Sequence, residues 1–553
     1  MKQLLMTLFC LTVISSLYAN NIQISNDTII HRQNGIIIRF DVKWDNSWRV
    51  ISGQSNYDGV WVFFKYRKEG TTKWEHLYLS GENNLAPTGA SIFQNPSQII
   101  YSNMSLRGIP GTIIYRANEG MGNVNFSNIE LGVRSDLPYN IEIRAFAVEM
   151  VYIPSALNKR LILGDADGIT ESAYAFHRQD NYADKTGILF EDSYYNISAD
   201  AGNNIDDDYL TQANGKLLTI NGTGWKTNDG DVNGSWPTAQ PLWCMKYEIT
   251  HGAYRDFLNT LTVAQQTTRT AVSPTSPKGT LAMNASSWHK SLLQIETPAS
   301  GSTPAIYGLD GTPDNYPENG ENIACIYLNW MDVAAYLDWS GLSPMTEIVY
   351  ERICRGLTDA GSNPTLLGQY AWGTGQISST KFDLANVNLP SESISNQTIT
   401  DGLGYANYNA TSPLDPSNSS YNGGIPLRNG IFALPNGNRI SSGAAFYGVM
   451  EMSGNVSEIC VTLGNDKGRT FTGNNGDGLL STNGNAAVYY WPGGSGTPKD
   501  QEPGEIKTNT GTIIRGGNYF SPKEELSISN RSQGPALARE WGIQGGRGVL
   551  YVY

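Results

Sequence analysis

Residues 447–460 read YGVMEMSGNVSEIC, in which Glu451 and Glu458 stand on either side of a Gly454-Asn455 turn. Two carboxylates so close, with backbone carbonyls between them, suit three kinds of chemistry. They could be helix decoration, an acid/base pair or a clasp for a cation. An acid/base pair needs one carboxyl with a raised pKa and a substrate between the two, and nothing in the stretch marks a water-poor substrate pocket. A hard cation takes roughly six to eight oxygens at about 2.3–2.6 Å, which turn carbonyls beside carboxylates supply. The residues alone leave the choice open.

Other chemistry-bearing residues are sparse. Beyond Cys10 the chain has Cys244, Cys325, Cys354 and Cys460, far apart and each in an apolar segment (LWCMKY, IACIYL, ERICRG, SEICVT). Buried thiols are expected, with one disulfide open to an exported protein. His31, His76, His177, His251 and His289 lack metal-ligand spacing and are expected to be solvated or singly bonded. The acidic stretches IDDDY (205–209) and NDGDVNG (228–234) lack the carboxylate ladder and closing Glu of a calcium loop and read as solvated turns.

The elements that position these groups occupy 553 residues, enough for several domains. With 40% apolar and 16% charged residues a large core is expected rather than disorder. A net charge of −13 with no basic run excludes a nucleic-acid backbone as partner. MKQLLMTLFCLTVISSLYAN reads as a secretory signal over residues 1–19, with Lys2 before an apolar run and a cleavage site after Ala19. Phe9 before Cys10 disfavours lipidation. No later run reaches the ~18 apolar residues of a transmembrane segment. The expected location is outside the cytoplasm: periplasmic, cell-surface or secreted.

Residues 20–147 carry β-branched and aromatic runs separated by turns: NGIIIRFDVKW, GVWVFFKY, HLYLS, GTIIYR and YNIEIRAFAV. They predict an all-β sandwich with Trp44, Trp48 and Trp61 in its core. From 148 the pattern changes. EMVYIPS (149–155) predicts a short strand, and PLWCMKYEITHGAYRDFLNTL (241–261) a strand leading into a helix. That helix is capped by Thr250, with Tyr254, Phe257, Leu258 and Leu261 on one face. NWMDVAAYLDWSGL (329–342) predicts a second helix and PMTEIVYERICRG (344–356) a third, started by Thr346 and Glu347 and ended near Gly356. The Gly/Asn/Ser/Thr-rich residues 462–512 predict surface loops, and TIIRGGNY and GVLYVY the closing strands.

Taken in order, MVYIP at Met150, KYEITHGAYRDFLN at Lys246, AAYLDWSGLSPMTEIVYERICRG at Ala334, YGVMEMSGNVSE at Tyr447 and IIRGGNY at Ile513 resemble the sulfatase-modifying-factor family. This is also the formylglycine-generating-enzyme family. The resemblance implies an irregular α+β domain over 148–553, a calcium-containing variant of the C-type-lectin fold, after the β-sandwich. It assigns structural calcium to Glu451 and Glu458 with the carbonyls of Gly454 and Val456. Glu451 replaces the usual Asp or Asn. A second calcium falls to Asn386, Val387, Asp401 and Leu403, on the ANVN and TDGLG segments.

The resemblance breaks where the family's oxidases hold copper(I) through two cysteines. RGGNYFSPKEELSISNRS puts Ser521 and Leu526 at those positions, Asn518 for a serine, Glu525 where a tyrosine is expected and Ser457 for a groove tryptophan. A hydroxyl cannot stand in for a copper thiolate, and leucine offers no ligand. Copper is not expected, and no catalytic residue is assigned. The expected role is binding of protein or glycan at the cell surface, or a structural part there. The alternative is a formylglycine-generating-type oxidase with a relocated metal site.

Overall fold

The computed structural model describes residues 21–552, apart from the segments 163–193, 198–216, 219–223, 226–236, 284–291, 310–319, 360–369, 410–424 and 495–503 and shorter gaps. The expected signal segment, both acidic turn stretches, His177 and His289 lie outside the described residues. No helix among the described residues is long and apolar enough to cross a membrane.

The fold is β-rich, with few helices. Strands β1 (Gln23–Arg32), β2 (Gly35–Arg49) and β7 (Gly120–Val133) form a three-stranded antiparallel sheet with β2 in the middle. Between and after them come β3 (Asp58–Lys68), β4 (Glu75–Leu77), β5 (Ala90–Phe93), β6 (Gly111–Arg116) and β8 (Ile141–Ile153). The second sheet does not end with these. It continues through β9 (Leu242–Met245) and β14 (Gly548–Tyr551) to β10 (Ser343–Pro344), in the order β10-β14-β9-β8-β3-β6-β5, with β4 beside β3.

Strand β8 makes the join. Residues 141–151 pair with β3, while Met150 to Ile153 pair with β9. EMVYIPS is therefore the end of a thirteen-residue strand, not a separate short one. The change of pattern at 148 marks a change of neighbour, not a break in the backbone. The expected boundary at 147 falls inside this strand.

Period-two alternation explains how one sheet serves two cores. On β3, Val60, Val62 and Phe64 face the first sheet and pack with Ile38, Phe40, Trp44, Phe126 and Leu131. Trp61 and Phe63 point the other way, into the core built by the helices. Because both faces are covered, β3 reads as a continuous apolar run. Trp44 and Trp61 are buried as expected, and Trp48 is half-buried against the second core.

The α-helices among the described residues are α1 (His251–Leu258), α2 (Val263–Arg269), α3 (Trp330–Ser340), α4 (Glu347–Arg355) and the single turn α5 (Asp466–Arg469). Thr250 caps α1 by accepting from Ala253 N at 3.1 Å, and Tyr254, Phe257, Leu258 and Leu261 are all buried. Thr346 caps α4 by accepting from Val349 N, and Gly341, in the left-handed region, ends α3.

Two buried polar contacts pin α3 to β3. Trp61 Nε1 donates to Ser340 O at 2.8 Å. Lys65 Nζ donates to Trp339 O at 2.7 Å and Gly478 O at 2.9 Å, and also meets His76 Nδ1 at 2.9 Å. The His76 Nε2–H donates to Pro110 O, so this imidazole has two partners and no solvent. The expectation of a solvated or singly bonded histidine fails here because the second half of the chain covers the ring. Residues 462–512 are irregular, as expected, yet they are not all surface: Phe471, Trp491 and Ile506 are buried. Gly478 touches the imidazole so closely that a Cβ there would lie 2.2 Å from His76 Nδ1. This loop-rich composition therefore serves close approach as well as exposure.

Candidate metal centre

Glu458 lies on β11 (Ser457–Val461), not on a solvated helix face. β11 is the middle strand of a small sheet, antiparallel to β12 (Thr512–Arg515) and parallel to β13 (Gln544–Gly545). The turn before it runs through three left-handed residues, Glu451 (φ 55°), Gly454 (φ 95°) and Asn455 (φ 64°). Gly454 has no alternative. A Cβ would lie 2.7 Å from Asn407 O. Glu451 is a bulky residue in a conformation that costs energy, and it is held there by Gly430 N, which donates to its Oε1 at 2.7 Å.

The two acids come together in a buried space. Glu458 is 1% exposed and Glu451 8%. A third carboxylate joins them that the sequence reading did not single out. Glu248, one residue past Tyr247, is buried and accepts from Val456 N at 3.0 Å and Asn455 Nδ2 at 2.6 Å. The cation in this cluster is Arg547. Its Nε and Nη2 donate to Glu458 Oε1 at 2.9 and 2.7 Å, its Nη1 to Met245 O and Lys246 O, and its Nη2 also to Met450 O.

Arg547 bonds Glu458 directly and acts on Glu248 and Glu451 through its charge, with the Arg428 guanidinium also acting on Glu451. Burial drives the Glu451 carboxyl up to about 7, with the Glu458 charge adding to the rise and the Gly430 hydrogen bond and Arg547 opposing it. Burial likewise raises Glu458, against Arg547, and raises Glu248 strongly, with Glu451 the next cause. Two oxygens, Glu451 Oε2 and Glu458 Oε2, are buried without a hydrogen-bond partner. Unpaired buried carboxylate oxygens cost several kcal/mol unless a proton or a cation meets them. No group of three His, Cys, Asp or Glu side chains in a metal-holding arrangement occurs among the described residues. A cation here would take carbonyls besides the two carboxylates.

Of the second set, Asn386 is exposed in a left-handed turn and its Nδ2 donates to Ser391 O at 3.4 Å. Val387 and Leu403 are half-buried, and Asp401 lies outside the described residues. Nearby, Glu392 is buried and accepts from Asn388 N and Arg428 N, so it organises this turn from within.

At the positions that the resemblance gives to the copper cysteines, Ser521 Oγ donates to Glu525 Oε2 at 2.6 Å and accepts from Asn518 N at 3.2 Å. Asn518 Nδ2 donates to Ser457 Oγ at 3.0 Å. Leu526 is buried and packs with Tyr370, Trp372 and Ala406. The cavity bordered by Ser457, Ser521, Glu525 and Asn530 measures about 10 Å³, room for about one water. The four cysteines are free and buried, as expected. Burial pushes the Cys244 thiol up to about 12 and raises those of Cys325, Cys354 and Cys460 as well.

A family model described as the sulfatase-modifying factor enzyme 1-like domain matches residues 212–543, more than half of the chain. The chain belongs to the sulfatase-modifying-factor family. The family match spans Glu248, Glu451, Glu458, Ser521 and Leu526; Arg547 and the first β-sheet lie beyond its ends. Comparison with curated proteins finds no match.

Glu248 and Arg547 are the site residues that sequence reasoning missed. Their signal was slight: an acid inside the otherwise apolar KYEIT segment, and an arginine between glycines just before the apolar strand β14.

Proposed function

We propose that this protein is an exported, non-catalytic member of its family: a calcium-stapled scaffold of the C-type-lectin type that binds protein or glycan at the cell surface or forms a structural part there. The β-sandwich before it would serve as a rigid mount, since the two halves share β8 and the wide sheet.

The observation that carries the reading is the chemistry at the copper positions. Ser521 is hydrogen-bonded to Glu525 and Leu526 is packed among aromatic rings, so neither offers a soft ligand. A relocated copper site would need two thiols open to the ion, and Cys244, Cys325, Cys354 and Cys460 are all buried. The hard-ion site fares differently. The orphaned Oε2 atoms of Glu451 and Glu458 fit a divalent cation, with the Gly454 and Val456 carbonyls as the further ligands implied by family membership. Calcium there would neutralise buried charge and tie the turn to β11.

Titrating the purified protein with Cu(I) and following oxygen uptake with a cysteine-containing peptide tests the reading. No copper-dependent uptake is expected. Stoichiometric copper binding with turnover would return the protein to the oxidases.

A further inference from the structure

Glu248 reaches the turn through both of its oxygens, and neither contact is incidental. Its Oε1 accepts from Val456 N at 3.0 Å and its Oε2 from Asn455 Nδ2 at 2.6 Å. Asn455 in turn accepts from Leu427 N at 2.8 Å and Asn407 Nδ2 at 3.2 Å through Oδ1, while its carbonyl accepts from Tyr519 N. The residue lies between Gly454 and Val456, whose carbonyls are the assigned main-chain ligands. Because the amide is planar, fixing Val456 N–H fixes the Asn455–Val456 peptide, which joins the two ligand-bearing peptides; the outer two are held by Asn455 N donating to Asn407 O and Ser457 N donating to Ile543 O, each at 2.9 Å. Glu248 is supplied by the segment between β9 and α1, distant in sequence from the turn, and is 1% exposed.

We propose that Glu248 is the positioning residue of the cation clasp: it holds Asn455 and Val456 so that the Gly454 and Val456 carbonyls face the ion beside Glu451 and Glu458. This rests on the proposed calcium reading. The two unpartnered carboxylate oxygens mark where the ion would sit, and Glu248 would keep the main-chain half of the cage in register. Supporting groups of this kind orient metal ligands, and their loss typically costs about 10–100-fold in affinity.

The test is titration of chelator-treated full-length protein with calcium chloride alone, by calorimetry and by the calcium-induced rise in melting temperature. Glu248→Gln keeps the acceptor for Val456 N but turns an N–H₂ toward Asn455 Nδ2, so calcium affinity should fall about tenfold or more. Asn455→Gly keeps the left-handed backbone, removes the side-chain bond and should weaken calcium several-fold if Glu248→Gln fails to fold. The double variant Glu248→Gln/Asn455→Asp reverses the donor and acceptor and should recover affinity over the single change. A merely structural role would lower the melting temperature equally with and without calcium, whereas positioning shrinks the calcium-induced increment. Wild-type affinity in both single variants, with the wild type itself binding calcium, would overturn the inference and leave the proposed function standing. A wild type that binds no calcium would bring down the calcium reading and this inference with it.

Discussion

Arg547 grips one oxygen of Glu458 through two N–H groups, at 2.9 and 2.7 Å, and leaves the other oxygen buried without a hydrogen-bond partner. One carboxylate thereby anchors the approach to β14 and leaves an oxygen for the proposed clasp. Removing one partner of a buried ion pair costs about 3–5 kcal/mol. Glu458→Ala should therefore destabilise the protein by that order. Glu525→Ala removes a hydrogen bond to Ser521 from a half-buried side chain and should cost about 1 kcal/mol. Equal losses in urea denaturation would mean that Glu458 is not part of a clasp.

Calcium removal should lower the melting temperature, since a ligand bound only by the folded form stabilises it by mass action. Thermal melts in calcium and in excess chelator measure this directly. Superimposed curves would count against both assigned sites.

Lys65 ties the two halves of the chain together from a fully buried position, where burial lowers its pKa well below the usual lysine range. Lys65→Ala should cost about 3 kcal/mol or more, because it leaves the carbonyls of Trp339 and Gly478 without their donor and opens a void. Lys65→Met, which keeps the stem, should cost less. Denaturant midpoints of the two variants give the comparison, and a change below about 0.5 kcal/mol in Lys65→Ala would contradict the anchoring role.

His251 gives a pH signature. Its Nδ1–H donates to Ile323 O at 3.2 Å, its Nε2 is buried without a partner, and burial brings its pKa down to about 4. The unfolded chain takes up this proton near pH 6.5 and the folded chain near pH 4, so the unfolded state binds more protons between those values. Stability should fall as pH drops across that window, by up to about 3 kcal/mol from this group. His251→Gln should flatten the fall in denaturation midpoints measured from pH 7 to 4. Parallel profiles for the variant and the wild type would remove His251 as the cause.

Local chemistry made much of this fold legible. Thr250, Thr346 and Gly356 announced helix ends through short-range capping, and the alternating runs announced strands. What stayed hidden was long-range. Nothing in EMVYIPS says that it continues β8, because the same alternation serves whether the next partner is β3 or β9. His76 looked like any histidine because its partners, Lys65, Pro110 and Gly478, are spread along the chain. At the site, Glu451 and Glu458 were readable because one turn holds both. Glu248 reaches it from 208 residues before Val456 and Arg547 from 89 residues after Glu458, and only the folded chain brings them in.

The central claim is that hard-oxygen chemistry persists here where soft-sulfur chemistry does not. Elemental analysis of the purified full chain, after dialysis against metal-free buffer, tests it most directly. Stoichiometric calcium with no copper is the predicted result; stoichiometric copper, or protein that carries no calcium, would contradict it.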